Sequence, residues 1–292
     1  MSRGAHQTTI ARSVSKEGIG LHTGAQCLLR LLPAEANAGI VFVSEEGVEI
    51  PALAGYVAAT ERATSLGLGQ ARVHTVEHLL AALYALGVDN VRVELTGPEV
   101  PACDGSARDW AALVGHAGLR RQGAVRRVWS LRRPVWVGEG DWWAMALPAA
   151  RFAVAVGVEF AGTVAGRQSL WLAVTPGRFA SELAPARTFA LARELEAVRA
   201  AGLAQGGGPE NAFAVGPEGY SGPLRFPDEV ARHKALDLVG DLALCGYRFR
   251  GQVVAVRPRH GGNVALAGAL RSALAEEAAG AGTRTCGEEV VA

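Results

Sequence analysis

Hydrophobic periodicity changes along this chain in one order, twice, and that order limits the fold more than any single motif does. Residues 1–60 are β-rich: CLLRLLPA (27–34) and GIVFV (39–43) are short apolar runs separated by Pro, Asn and Gly. In VHTVEHLLAALYALGVDN (73–90) the period lengthens. Val76, Leu79, Leu80 and Leu83 fall at helical spacing, with Thr75 placed to cap the start and Gly87 to end it. The alternating strand VRVEL (91–95), a turn at Asp104-Gly105 and a second helix in SARDWAALVGHAG (106–118) follow. From about residue 125 the order restarts. RRVWSLRRPVWV, GDWWAMALP, RFAVAVGVEF and QSLWLAV read as a strand meander, PGRFASELAPART and LARELEAVRAAG as helices, the second closed by Gly202. AQGGGPENAFAVG is a Gly-rich loop entering a short strand, DEVARHKALDLVGDLALCG the longest helix, GQVVAVRP a strand and NVALAGALRSALAEEAAGAG (263–282) a final helix.

Strands, helix, strand, helix, repeated, predicts an α+β protein of two similar sheet-plus-helices domains packed face to face, with the active site in the cleft between them. The domains are expected at 1–122 and 123–292, joined near 118–125, although no sequence repeat marks a duplication. A formal charge of +1 argues against nucleic acid as a partner, and the densest basic run, RRQGAVRR (120–127), reads as a solvated connection. The most apolar stretch, 142–160, is broken by Arg151 and Glu159, so two strands and a turn are expected in place of a transmembrane segment. The start, MSRGAHQTT, lacks the apolar run of a signal peptide, and Cys27, Cys103, Cys245 and Cys286 have no CxxC spacing; a cytoplasmic monomer with free thiols is expected.

One helix face carries the chemistry. In ARHKALDLVGD (231–241), His233, Asp237 and Asp241 are spaced i, i+4, i+8 and stack along one side. His233 and Asp237, one turn apart, make half of a typical zinc site; an ion-paired amphipathic helix with Arg232 or Lys234 as partner fits the same spacing. Glu77 and His78 are adjacent near the start of another helix, without an HExxH pattern. Combined, His78, His233 and Asp237 form a three-ligand site open to water, with Glu77 beside that water as a base. His260, in RPRHGGN, sits at a strand-to-loop transition, three residues before Asn263, one of four asparagines. Only Lys16 and Lys234 are lysine among 29 basic residues, which singles out Lys234 as a position where a compact ammonium is needed.

With their flanks these residues resemble the UDP-3-O-acyl-N-acetylglucosamine deacetylase family over nearly the whole chain. The resemblance runs through GIGLHTG (18–24), TVEHLLAAL (75–83), GVDNVRVEL, EVPACDGSA (99–107), ARTF (186–189), GPLRFPDEVARHKALDLVGDL and HGGN, in order. It implies a zinc amidase of lipid A synthesis that hydrolyses the acetamide of an acylated UDP-sugar, with Fe²⁺ as the alternative ion. By position it implies His78, His233 and Asp237 as metal ligands and Glu77 as general base. It further implies His260 as second catalytic group held by Asp241, Thr188 as oxyanion support, Phe189 beside the nucleotide and Lys234 on the substrate's polar part. The acyl-chain passage is expected in the second domain, between LARELEAVRAAG and the AQGGGPENAFAV loop. Three departures stand out: Arg259 where the family usually has glycine, a short SEEGVEIPA (44–52), and Ala63 and Ser65 where the family often has cysteine. They leave open an amidase for another N-acyl sugar; a UDP-sugar-binding regulator is the non-enzymatic alternative, which would have no use for Glu77.

Overall fold

A computed structural model describes residues 6–282 and mixes helices and strands in several sheets. The helices are α1 (Glu77–Leu86), α2 (Arg108–Ala117), the single turn α3 (Pro176–Arg178), α4 (Leu195–Ala200), α5 (Glu229–Ala243) and α6 (His260–Gly282). Two five-stranded sheets share one topology. The first runs Val14–Ile19, Gln26–Pro33, Val91–Leu95, Ile40–Val43, Glu49–Pro51; the second runs Val135–Glu139, Trp142–Leu147, Gln252–Val256, Ala153–Phe160, Gly166–Ala173. In each, the strand latest in sequence enters the centre, antiparallel to one neighbour and parallel to the other.

The second half is therefore not a meander. Gln252–Val256 lies between Trp142–Leu147 and Ala153–Phe160, an insertion from far along the chain that local periodicity does not carry. The expected joint at 118–125 is itself a strand, Leu119–Val125, paired antiparallel with His6–Ile10. The final helix starts at His260, not 263, and at 23 residues exceeds α5 at 15. Gly261 and Gly262 disguised its first turn; a Cβ on Gly262 would meet the Trp142 ring at 2.4 Å, so this glycine serves packing. Thr75 does not cap α1. It sits at φ 58°, the cap position belongs to Val76, and the Thr75 hydroxyl donates to Glu99 instead (2.6 Å). Gly87 does end α1, in the left-handed conformation at φ 92°.

The helices pack on one another and on both sheets. α2 packs on Val14–Ile19, α1 on α2 and α5, α5 on α6 and on the strands Ala153–Phe160 and Gly166–Ala173, and α6 on Val135–Glu139 and Trp142–Leu147. Nine of the ten residues of α1 and 13 of the 15 of α5 are buried, so any charge on either must find a partner inside. Cys27, Cys103 and Cys245 are unbridged; Cys286 and residues 1–5 lie outside the described residues. Among the described residues no helix is long and apolar enough to cross a membrane.

α1 and α5 meet at a glycine. A Cβ on Gly240 would lie 2.0 Å from the Glu77 carbonyl oxygen, with backbone on both sides and nothing flexible to yield. Gly240→Ala should therefore push the helices apart and cost about 1–3 kcal/mol, read as a lower urea midpoint at unchanged slope. An unaltered midpoint would show that the contact can relax.

Candidate metal centre

α1 and α5 carry the site. Glu77 and His78 open α1; His233, Lys234, Asp237 and Asp241 lie along α5; His260 opens α6. His78, His233 and Asp237 are buried, and their ligand atoms lie within 4.8 Å of one another. Asp237 Oδ1 is 3.5 Å from His78 Nε2 and 3.3 Å from His233 Nε2, yet it is buried with no hydrogen-bond partner. A buried carboxylate oxygen left in this way normally costs stability; facing two imidazole nitrogens, it fits a cation of the N/O-binding class. Burial pushes His233 down to about 3, so its ring is neutral; Nδ1 meets the Ala186 carbonyl at 3.1 Å, which leaves Nε2 with the lone pair a metal needs.

Glu77 stands beside this group. Its carboxyl is pushed up by burial, the direction a proton acceptor working near neutral pH requires, and Oε2 accepts the backbone N–H of Thr64 at 3.0 Å. His260 Nδ1 meets Asp241 Oδ2 at 2.9 Å. Burial alone would lower this imidazolium; the Asp241 carboxylate outweighs it and raises the group to about 9, so His260 is cationic. Asp241 also accepts the Thr64 hydroxyl (2.6 Å) and the Asn263 amide (2.9 Å), so its position is fixed from three sides.

A loop and a strand bring the remaining residues. Thr188–Leu191 pairs in parallel with Ala212–Val215, and the Thr188 N–H donates to the Gly105 carbonyl (2.8 Å). Phe189 lies against Phe160 and His233, with Lys234 Nζ 5.7 Å from its ring centre. Lys234 pairs with Asp237 Oδ2 at 2.9 Å. A cavity of about 350 Å³ is lined by Glu77, His78, Thr188, Phe189, His233, Lys234, Asp237 and His260 together. Asp241 sits behind His260. A larger cavity of about 700 Å³, lined by Asp89, Arg126, Tyr247 and Arg248 among others, contains none of these residues.

Two contributors, Thr64 and His22, were not singled out by the sequence, and a third, Asn263, was noted without a role. Thr64 lies between the noted Ala63 and Ser65, and nothing in its spacing links it to Asp241, 177 residues on. Asn263 did stand out, but only its position on α6 explains it. His22 lines the cavity with both ring nitrogens unpaired; it lies in GIGLHTG, whose loop is tied down by the buried Glu99 through the His22 and Thr23 N–H groups and the Thr23 hydroxyl.

The strand bearing Thr188 hangs on a buried ion pair: Arg187 Nε donates to Glu229 Oε1 at 2.9 Å, at the N-terminus of α5. Burial would raise the Glu229 carboxyl; the Arg187 guanidinium and the N–H groups of Arg187 and Arg225 outweigh it and hold it below its ordinary value. A depressed folded pKa contributes stability that is present above the unfolded value and lost as pH falls through the folded one. Glu229→Gln should thus lose about 3–5 kcal/mol at neutral pH, and the gap to wild type should narrow as pH falls below about 4. Denaturant titrations of both proteins across that range test this; a constant gap would mean the carboxylate's charge contributes nothing.

The sequence pattern of the UDP-3-O-acyl N-acetylglycosamine deacetylase family matches residues 7–272. Relatives named UDP-3-O-acyl-N-acetylglucosamine deacetylase are similar along nearly their full lengths. The Anaeromyxobacter dehalogenans protein is 44% identical over 290 residues, covering 97% of this chain and 92% of its own. The Nostoc sp. protein is 41% identical over 270 residues, with 89% and 96% covered, and the Myxococcus xanthus protein 45% over 260, with 87% and 83% covered.

Proposed function

Because the chain belongs to the UDP-3-O-acyl N-acetylglycosamine deacetylase family, we propose that its buried His–His–Asp cavity is where it hydrolyses the acetamide of a UDP-3-O-acyl-N-acetylglucosamine. The products are the free amine and acetate, and the reaction belongs to lipid A biosynthesis. The observation that carries the assignment to this cavity is Asp237 Oδ1, buried without a hydrogen-bond partner and facing two imidazoles, with a carboxylate of raised pKa beside it.

His78, His233 and Asp237 would hold the ion, which we take as Zn²⁺, with Fe²⁺ suiting the same donors. When bound, such an ion supplies Lewis acidity to a carbonyl and lowers the pKa of water toward neutrality. Glu77 takes the proton of the attacking water. The Thr188 hydroxyl donates to the oxyanion as the carbonyl opens, and the His260 imidazolium adds positive charge near it. His260 or Glu77 then gives the departing nitrogen its proton. Asp241 acts through His260, which it orients and keeps charged. Lys234 contacts the polar part of the substrate and Phe189 lies beside the nucleotide. The acyl chain follows the apolar residues Phe160, Phe189, Ala190 and Leu191 of the cavity toward a passage between LARELEAVRAAG (191–202) and the AQGGGPENAFAV loop (204–215). Divided at residue 122, the chain contributes Glu77 and His78 from one domain and His233 and Asp237 from the other. The three unbridged cysteines favour the cytoplasm, and one chain holds the complete set, so we take the enzyme to act as a monomer.

Three sets of variants test this. Glu77→Ala should keep the metal and lose about 10²–10⁴-fold in kcat; loss of metal in step with activity would make Glu77 a ligand. His78→Ala, His233→Ala and Asp237→Ala should each lower metal content, measured by elemental analysis after dialysis, while Asp241→Ala stays near stoichiometric. His260→Gln should lower kcat strongly with metal retained. Mass spectrometry of the acylated UDP-sugar incubated with enzyme decides the substrate, and absence of the deacetylated product would reject the reaction.

A further inference from the structure

We propose that the outer face of the second five-stranded sheet is a membrane-docking surface that seats the protein on an anionic lipid bilayer. Helices α5 and α6 cover one face of this sheet. On the other, register places Trp136, Met145, Val254, Ala155 and Trp171 side by side in one row across all five strands. Trp136 is 65% exposed and Trp171 53%, and Trp143, in the adjoining row, is 40% exposed. A sheet with one covered face ordinarily turns polar residues outward. The first sheet of this same chain does so: Arg30, Arg92 and Glu94 lie on its outer face, with Arg92 bonded to Glu94 (2.9 Å) and to Glu49. The second sheet's row carries no charge, and a contiguous apolar surface of this kind marks an interaction site.

Charge selects the occupant. Arg132, Arg151 and Arg250 lie at one end of the sheet, just before the strands Val135–Glu139, Ala153–Phe160 and Gln252–Val256. All three are exposed, and among the described residues none is paired with a carboxylate. The opposite end, toward the catalytic cavity, is mixed, with Arg257 bonded to Asp141 and Glu159. Tryptophan sits well where hydrocarbon meets headgroups, and guanidinium forks match lipid phosphate. A second copy of the chain fits less well. The row is bulky at its ends and small at Ala155, so two such faces meet ring against ring around a void; fluid acyl chains need no matching surface.

The test is flotation of the full chain with vesicles of phosphatidylcholine, with and without phosphatidylglycerol. It reads vesicle binding, so it stands apart from the proposed reaction. Wild type should float with the anionic vesicles, with tryptophan emission shifted to the blue, and should bind less at high salt. The Trp136→Ala/Trp171→Ala and Arg151→Glu/Arg250→Glu variants should each bind at least about tenfold more weakly, with activity on a water-soluble substrate unchanged. Failure of wild type to float, or equal flotation of the variants, would overturn the proposal. So would a concentration-dependent dimer in sedimentation that the tryptophan variant abolishes, which would assign the face to a second copy.

Discussion

Everything at the His–His–Asp cavity depends on a side chain that is not there. Gly240 lets the backbone of α5 lie against the Glu77 carbonyl at the start of α1. One turn earlier on α5 stands Asp237, and a further turn back His233; directly after Glu77 comes His78. The close approach of two backbones thus sets the spacing of three side chains, two from one helix and one from the other. It also brings Asp241, the residue after the glycine, to the Thr64 segment that fixes Glu77.

Helices buried on all sides make charge expensive, and the chain meets that cost locally. Glu229 is covered by Arg187 and by backbone N–H groups, and Asp241 by Thr64, His260 and Asn263. Each is a fully occupied acceptor, and each holds an element bearing a functional side chain in place. Asp237 is the exception: Lys234 covers one oxygen and leaves the other open toward the imidazoles. Incomplete satisfaction thus separates Asp237 from Glu229 and Asp241, the carboxylates that hold the scaffold.

Much of this was legible in the sequence because it is local. The i, i+4, i+8 stripe of His233, Asp237 and Asp241 follows from helical geometry, and Gly87 as the end of α1 follows from its freedom at positive φ. The α+β class followed from the repeated order of periods. What escaped was non-local or conformationally unusual. Nothing near Gln252–Val256 says that it will enter the centre of a sheet begun a hundred residues earlier. Thr75 has the composition of a cap, but a hydroxyl drawn to Glu99 and a backbone at φ 58° take it elsewhere. That α6 begins at His260 was hidden by the two glycines after it, which ordinarily end helices; here Gly262 admits the Trp142 ring. Combining two distant stretches joined His78 to His233 and Asp237, and the family resemblance supported it; the spacing on α5 alone left an ion-paired helix open.

The shared topology of the two sheets has a consequence for how the protein is made. Each sheet is missing its middle until its last strand emerges: Val91–Leu95 in the first, Gln252–Val256 in the second. While the second sheet waits, its two hairpin-like halves keep unpaired inner edges, and α5, which can already rest on α1, packs on Ala153–Phe160 and Gly166–Ala173 before those strands are joined to the rest of their sheet. Pairings so far apart in sequence close slowly, and chains emerge N-terminus first at about 5–20 residues per second. The backing of the His–His–Asp cluster is therefore completed late: α1 and α5 carry its three residues, but the sheet behind α5 closes only when Gln252–Val256 arrives. A nascent chain stalled before residue 252 would carry His78, His233 and Asp237 and still lack the strand that closes the sheet behind α5.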